Sequence, residues 1–452
     1  MKPARSFWKK ARPIVLSCLF VGIAIQFIRP RLDNPPVTAD LKAPAEVKAI
    51  LQRACYDCHS NETHLAWFDR PAPAYWLVAD HIKEGRKVLN FSNFDSLSQA
   101  VQAGKLYESL NQIEYGVMPL SQYTAFHHGG KISAEEIAVL KKYLLSLAPK
   151  AVVDTAKQRA SVEQYEKWIL AAAAAGAAAV KDEYNGISYH DLAGFRDWKA
   201  ISTTERWDNG SLRLILGNDV VERAIREGRT NPWPDGAIFA KVAWDQLPDS
   251  AGEIHAGAFK QVEFMIRDSR KYASTQGWGW ARWVGGLGMK PYGKDATFPT
   301  ECINCHKPMV PNDQTFTIPV ADTVRLAGTV ITSFVNRREG TMSTLYGNEI
   351  AVKSARAGRA YPGGANLSLV TWSQRDDAHW FGGRIPNAVH SIEVMRYPAA
   401  GVGASAAPSS AASPAAPSYE RYEGAGMKQV LAPADIDARI KYIAAQKASV
   451  LP

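Results

Sequence analysis

The chain has 452 residues, 46% of them apolar and 21% charged, which suits two or three globular domains and excludes a disordered tail. Lysine and arginine number 53 against 44 acidic residues, a net charge of +9 with a pI near 9.1. The basic residues are dispersed and no nucleic-acid motif accompanies them, so the charge fits a basic exported protein rather than a nucleic-acid partner.

Lys2, Arg5, Lys9, Lys10 and Arg12 precede an apolar run from Pro13 to Ile28, and Arg29 and Arg31 follow it. This is the layout of an export signal. No small-x-small cleavage site follows, and Leu16 fits poorly with lipid attachment at Cys18. A run of sixteen residues falls just short of a comfortable span, which flanking arginines relieve by snorkelling. The expectation is an uncleaved anchor within residues 1–30 that tethers a periplasmic protein to the inner membrane, with a cleaved signal peptide as the alternative.

Residues 40–150 form the next unit. Ala45–Ala54 reads as a short helix. Ser133-Ala134-Glu135-Glu136 is a capping box opening a helix with Ile137, Leu140, Leu144 and Leu147 on one face. Residues 151–189 hold an alanine-rich stretch expected to be a linking helix. From about residue 190 the pattern changes to alternating apolar and polar runs rich in Gly, Pro and Trp, which predicts antiparallel strands. Residues 399–418, rich in Ala, Ser and Pro, read as a linker or surface loop, and a last helix is expected over Pro433 to Lys447.

The second half contains an internal repeat. Gly210 to Asp219 matches Gly340 to Glu349, Arg226 and Gly228 match Arg356 and Gly358, Trp244 and Gln246 match Trp372 and Gln374, and Val262-Glu263 matches Ile392-Glu393, at offsets of 128 to 130 residues. A duplication is expected, spanning 190–322 and 323–452.

Four of the five cysteines lie in two copies of one pattern, Cys55-Tyr56-Asp57-Cys58-His59 and Cys302-Ile303-Asn304-Cys305-His306. C-x-x-C-H is the attachment signature of c-type haem: two thiols add to the haem vinyl groups and the adjacent histidine reaches the iron. A zinc site would need two turns about 245 residues apart to converge and would ignore both histidines. Two covalent haems are therefore expected, on Cys55, Cys58 and His59 and on Cys302, Cys305 and His306. In the first unit the only methionine downstream of His59 is Met118, ahead of Pro119, and a thioether there completes His/Met ligation. His64, His81, His127 and His128 are the rival ligands. In the second copy Met309 stands too close to His306 to reach the opposite face of the iron, and Met265 and Met289 lie upstream. An open distal side is expected, with ligation by Met289 or a histidine as the alternative.

The first unit resembles a small class I cytochrome c, and Cys55–His59, His81–Arg86 and Asn90–Phe94 are more closely similar to the membrane-anchored haem-binding domain family, over about residues 10–148. Residues 190–320 resemble cytochrome P-460, on Asp197-Trp198-Lys199, Gly210–Asp219, Pro234-Asp235-Gly236 with Lys241, and Cys302–His306 with Asn312-Asp313. The second resemblance implies a β-rich, dimeric fold, a c-haem cross-linked to lysine, and hydroxylamine oxidation. A sister group, the cytochromes c′-β, binds nitric oxide in an apolar pocket.

The resemblance suggests Lys241 as the cross-linking lysine and Arg213 as a distal arginine. In the repeat these align with Leu369 and Ser343. A distal carboxylate is expected as proton acceptor, and Glu301 and Asp295 are near the motif in sequence, with Glu301 the candidate. Trp278, Trp280 and Trp283 either line the haem or belong to the core. The implied fold is α+β multidomain: an all-α cytochrome c domain, then an antiparallel β-rich haem domain duplicated in tandem as an intramolecular pseudo-dimer. The implied partners are hydroxylamine or nitric oxide as the small-molecule ligand, and a redox protein or membrane electron-transfer chain.

Overall fold

A computed structural model describes residues 4–150, 152–173, 183–184, 186–293, 299–320, 328–399, 416–424, 426–431 and 433–452. The chain divides into two units, Met1–Ala148 and Pro149–Pro452.

The first unit is helical: α1 (Ala4–Ala24), α2 (Ala45–Ala54), α3 (Tyr56–His59), α4 (Ala74–Val88), α5 (Gln99–Glu114), α6 (Ser121–Phe126) and α7 (Ala134–Leu147). The expected capping box starts α7: Ser133 Oγ accepts from Glu136 N, and Ser133 N donates to the Glu136 carboxylate at 2.9 Å. Val47, Ile50 and Leu51 of α2, Tyr107 and Leu110 of α5, and Leu140 and Leu144 of α7 are buried. Tyr107 also donates to the Leu144 carbonyl, 2.5 Å away, which pins α5 to α7. The N-terminal helix merges the basic residues Lys9, Lys10 and Arg12 with the apolar run. No helix among the described residues is long and apolar enough to cross a membrane.

The second unit opens on α8 (Thr155–Ala173) and a two-stranded ladder of β1 (Glu183–Tyr184) and β2 (Ile187–Ser188). The expected linking helix is described only as far as Ala173, and that part is not a free linker. Gln164 of α8 exchanges hydrogen bonds with Phe259, at 2.6 and 3.1 Å, and Trp168 is buried, so this helix is docked on the unit it was expected to lead into.

The body is an antiparallel β-barrel of eight strands: β3 (Lys199–Arg206), β4 (Ser211–Gly217), β5 (Ile238–Pro248), β6 (Glu253–Arg267), then, after the side strands β7 (Trp278–Val284) and β8 (Lys290–Tyr292), β9 (Thr329–Asn336), β10 (Thr341–Gly347), β11 (Asn366–Asp376) and β12 (Gly383–Arg396). Each barrel strand pairs with the next, β6 pairs with β9, and β12 returns to β3. β7 and β8 extend the sheet from β6, and β13 (Ser418–Glu423) with β14 (Lys428–Val430) extend it from β12.

Helix α9 (Asp219–Arg226) follows β4, and α10 (Glu349–Arg356) follows β10. Asn218 and Asn348 cap them in the same way, accepting from Val221 N and Ala351 N at 3.2 and 3.0 Å. Register shifts at Trp244 in β5 and at Trp372 in β11 lie opposite the bends of the long strands β6 and β12. Those bends let β6 begin beside β9, and β12 begin beside β3, before each continues within its own half.

The last helix, α11 (Ile436–Ala444), is shorter than expected. The chain beyond it bonds Ser449 N to the Ile331 carbonyl at 2.9 Å, the counterpart of Val320 N on the Ile201 carbonyl at 2.8 Å. Most of the expected 399–418 loop lies outside the described residues.

Candidate functional site

In the first unit Cys55 ends α2 and α3 carries the rest of the motif. The His59 ring meets the carbonyls of Gly85 and Leu89 at 3.1 and 3.2 Å through Nδ1. Carbonyls only accept, so Nδ1 carries the proton and Nε2 presents its lone pair to the other side. Burial lowers the His59 pKa, which keeps the ring neutral. Gly85 permits this approach: a Cβ there would lie 2.8 Å from the Cys58 carbonyl and 3.3 Å from the His59 ring. Burial also pushes the Cys55 thiol up to about 12 and the Cys58 thiol up to about 11.

Met118 is half-buried in the loop between α5 and α6. The start of α6 is tied to the motif, since Tyr123 donates to Asp57 at 2.7 Å. Among the rival ligands, His127 is committed elsewhere: its Nε2 meets Asp69 at 3.0 Å and its ring stacks on Tyr123 at 4.1 Å. His64 and His128 are exposed.

In the second unit the strand register assembles a site on one face of β4–β7. Lys241 stands directly opposite Glu263, and Glu263 opposite Arg282. Alternation along β4 puts Arg213 on the same face as Ile215, the partner of Lys241. Lys241 Nζ is 2.6 Å from Glu263 Oε2, and Arg282 is 3.8 Å from the same oxygen. A parallel row of Phe239, Met265 and Trp280 is apolar and buried. The cysteine motif lies against this face: the Trp280 and His306 rings are 5.8 Å apart, and Arg282 is 3.7 Å from Glu301. His306 repeats the arrangement of His59, with Nδ1 donating to the Gln314 carbonyl at 2.7 Å. Burial lowers its pKa to about 4, so it too is neutral.

One carboxylate serves three cations here. Burial alone would raise the Glu263 pKa, but Lys241, Arg282 and Arg213 together hold it at about 2. Burial lowers the pKa of Lys241, and Glu263 opposes that only in part because Arg213 and Arg282 repel the ammonium. Burial lowers Arg213 to about 10. Among the described residues the buried Nε atoms of Arg213 and Arg282 and the Trp280 indole nitrogen have no hydrogen-bond partner. Buried donors require acceptors, and a group carrying carboxylates or other acceptors fits this face. Two neutral histidines whose Nδ1 protons are engaged by backbone carbonyls, each beside two thiols, fit haem iron and haem vinyls.

Residues 20–146 match the Haem-binding domain family, and residues 192–317 and 325–404 match Cytochrome P460. The chain joins a haem-binding domain to cytochrome P460. No curated protein matches the chain.

Within the cytochrome P460 region, Lys241 and Arg213 share the face of β4–β7 that the cysteine motif lies against. Glu301 sits at the rim, with its side chain 46% exposed, accepting from Tyr292 at 2.9 Å. Asp295 lies outside the described residues. The carboxylate at the centre is Glu263, which sequence reasoning passed over because it recurs as Glu393 and so read as a residue of the fold. Met289 and Met309 are buried, and Met265 belongs to the apolar row. The tryptophans divide: Trp278 and Trp280 share the site face, while Trp283 points to the other side and packs on Tyr189 and Phe264 at 5.2 and 5.8 Å.

The equivalent face of the second half is filled by protein. Glu393 is 1% exposed and is bound by Arg439 of α11 through two hydrogen bonds of 2.7 and 2.6 Å, with Tyr419 at 2.6 Å. Tyr442 of the same helix meets both oxygens of Glu253. What remains is a polar cavity of about 220 Å³ bounded by Ser343, Thr371, Glu393, Arg421, Arg439 and Tyr442.

Proposed function

We propose that this protein carries two covalently attached haems and oxidises a small nitrogen compound, hydroxylamine above all, at the haem held by His306, with electrons leaving through a haem held by His59 and Met118. The observation that carries the reading is the Lys241–Glu263 pair, 2.6 Å apart and flanked by Arg213 and Arg282, on the face that meets the His306 ring. When bound, the haem supplies an iron that takes electrons from the substrate nitrogen.

The side chains supply the rest. Lys241 is the amine among the three cations, and burial and two neighbouring guanidinium groups disfavour its charge. A neutral amine is the form whose lone pair could bond to a haem edge, with an N–H and a ring C–H broken and their two electrons passing to an external oxidant such as peroxide. Once Lys241 is uncharged, Glu263 loses its closest cation and its pKa rises from about 2 toward the ordinary carboxylate range. That change makes Glu263 a competent acceptor for protons released from the substrate. Arg213 and Arg282 keep it oriented and ionised until then.

The apolar row of Phe239, Met265 and Trp280 favours a second reading, nitric oxide held without turnover. Turnover separates the two. With hydroxylamine and an artificial electron acceptor under anaerobic conditions, wild type is expected to reduce the acceptor, and Lys241→Leu to retain its haem and lose that activity. Wild type inactive under these conditions yet binding nitric oxide supports the second reading.

We further infer that the two barrel halves arose by tandem duplication and form an intramolecular pseudo-dimer. Supporting this are the shared strand–strand–helix–strand–strand order, the Asn218 and Asn348 caps, and the register shifts at Trp244 and Trp372. The basic, then apolar, N-terminal segment supports export with a tether to the inner membrane.

A further inference from the structure

The turn between β11 and β12 belongs to the second half of the barrel, yet it packs against the segment that carries His306. His379 Nδ1 donates to the Phe316 carbonyl at 2.7 Å. The Trp380 ring meets the Phe316 ring edge to face, with centroids 5.9 Å apart. Phe316 in turn meets the His306 ring at 4.9 Å and 81°. Two residues before Phe316, the Gln314 carbonyl takes the His306 Nδ1 proton. The short run Gln314–Phe316 therefore holds the imidazole at two points, a hydrogen bond and a ring contact. The second half holds that run at two points of its own.

These outer contacts are themselves fixed. Trp380 donates from Nε1 to Asp208 at 3.1 Å, and the Arg206 guanidinium stacks on its ring at 4.2 Å. Arg206 is bidentate on Asp208, and both are buried. The turn is also tied to β3–β4 directly, through Asp208 N on the Gly382 carbonyl at 3.2 Å. Gly382 allows this approach, since a Cβ there would lie 2.6 Å from the Asp208 side chain.

The run needs such support. Asp313 and Gln314 are consecutive non-glycine residues with left-handed backbones, φ 45° and 60°. That conformation is costly and persists only where the surroundings over-determine it. From the first half, Asp313 accepts from Trp233 N at 2.8 Å and Gln314 bonds Gln276 at 2.8 Å. Phe316, the next contact with the ligand ring, is held from the second half.

We propose that His379 and Trp380 are positioning residues for His306, so that the half lacking its own cysteine motif completes the haem site of the other. The hydrogen bond to the outer nitrogen of a ligating imidazole sets both its ring plane and its basicity. Holding Phe316 keeps the Gln314 carbonyl in line with Nδ1 and stops the ring from turning. This rests on His306 as the iron ligand and does not depend on the substrate.

The test uses the full haem-loaded protein and compares Trp380→Ala, Trp380→Phe, His379→Ala and His379→Gln. Electron paramagnetic resonance and potentiometric titration are read for each haem. In both alanine variants the His306 haem is expected to show broadened lines and a raised potential, as the Nδ1 hydrogen bond weakens, while the His59 haem is unchanged. Phe at 380 keeps a ring against Phe316 and Gln at 379 keeps a donor, so both are expected to restore the wild-type signal in large part. A merely structural role lowers the unfolding midpoint without moving these signals. Should Trp380→Ala fail to fold, His379→Ala removes the side-chain donor to the Phe316 carbonyl from a half-exposed turn and still decides the question. Alanine variants with wild-type lines and potential overturn the proposal. Wild type with no haem attached at Cys302 and Cys305 overturns the ligand assignment instead.

Discussion

Replacing Glu263 by glutamine removes one negative charge from a cluster of one carboxylate and three cations while keeping its shape. The carboxylate is held at about 2, against an ordinary 4.5. Its folded pKa is depressed, so the stabilisation is fully present above about 4.5 and is lost as pH falls through about 2. At roughly 1.4 kcal/mol per unit this is about 3 kcal/mol at neutral pH, and partial solvent access to the side chain, 18% exposed, trims it to about 2 kcal/mol. Lys241 adds nothing further to that sum, because its own pKa is lowered: burial and two arginines outweigh the single carboxylate facing it. In urea unfolding at pH 7 of the protein expressed without haem, in which Lys241 keeps its charge, Glu263→Gln is expected to be less stable than wild type by about 2 kcal/mol. The difference is expected to shrink as pH falls from 4.5 toward 2, where wild type also loses the charge. Equal stability at pH 7, or a gap that does not close on acidification, refutes the claim that an ionised Glu263 is held by these three cations.

Met118→Ala is expected to convert only the His59 haem to a weakly ligated, high-spin form and to lower its potential, read by the loss of the near-infrared Met–iron band; a surviving band removes Met118 as the ligand. Because strand pairing closes the barrel within one chain, light scattering of the protein from residue 40 onward is expected to give a monomer, and a stable dimer built through the haem-bearing half counts against the intramolecular pseudo-dimer.

Some of this architecture is legible in the residues one after another. The Ser133–Glu136 box and the 2.0-residue alternation of the strands are local signals, and they locate α7 and the β-rich region well. Both C-x-x-C-H motifs carry their chemistry in their spacing. The Lys241–Glu263 pairing is different: it is set by the register between β5 and β6, which sequence distance does not reveal. Proximity in sequence pointed instead to Glu301, which the fold leaves at the rim. The repeat also misdirected, since Glu393 matches Glu263 in position but serves to anchor Arg439. A shared residue can hold the fold in one half and face the site in the other. The docking of α8 rests on Gln164 meeting the Phe259 backbone, a contact between residues 95 apart that composition cannot show.

Under the proposed function, Lys241 is bonded to the haem held by Cys302, Cys305 and His306. Peptide mass spectrometry of the digested wild-type protein tests it most directly. The Lys241 peptide is expected to be recovered joined through one haem to the peptide bearing Cys302 and Cys305, and Lys241→Leu to leave the haem on the cysteine peptide alone. Recovery of the wild-type Lys241 peptide in full yield and free of haem contradicts it.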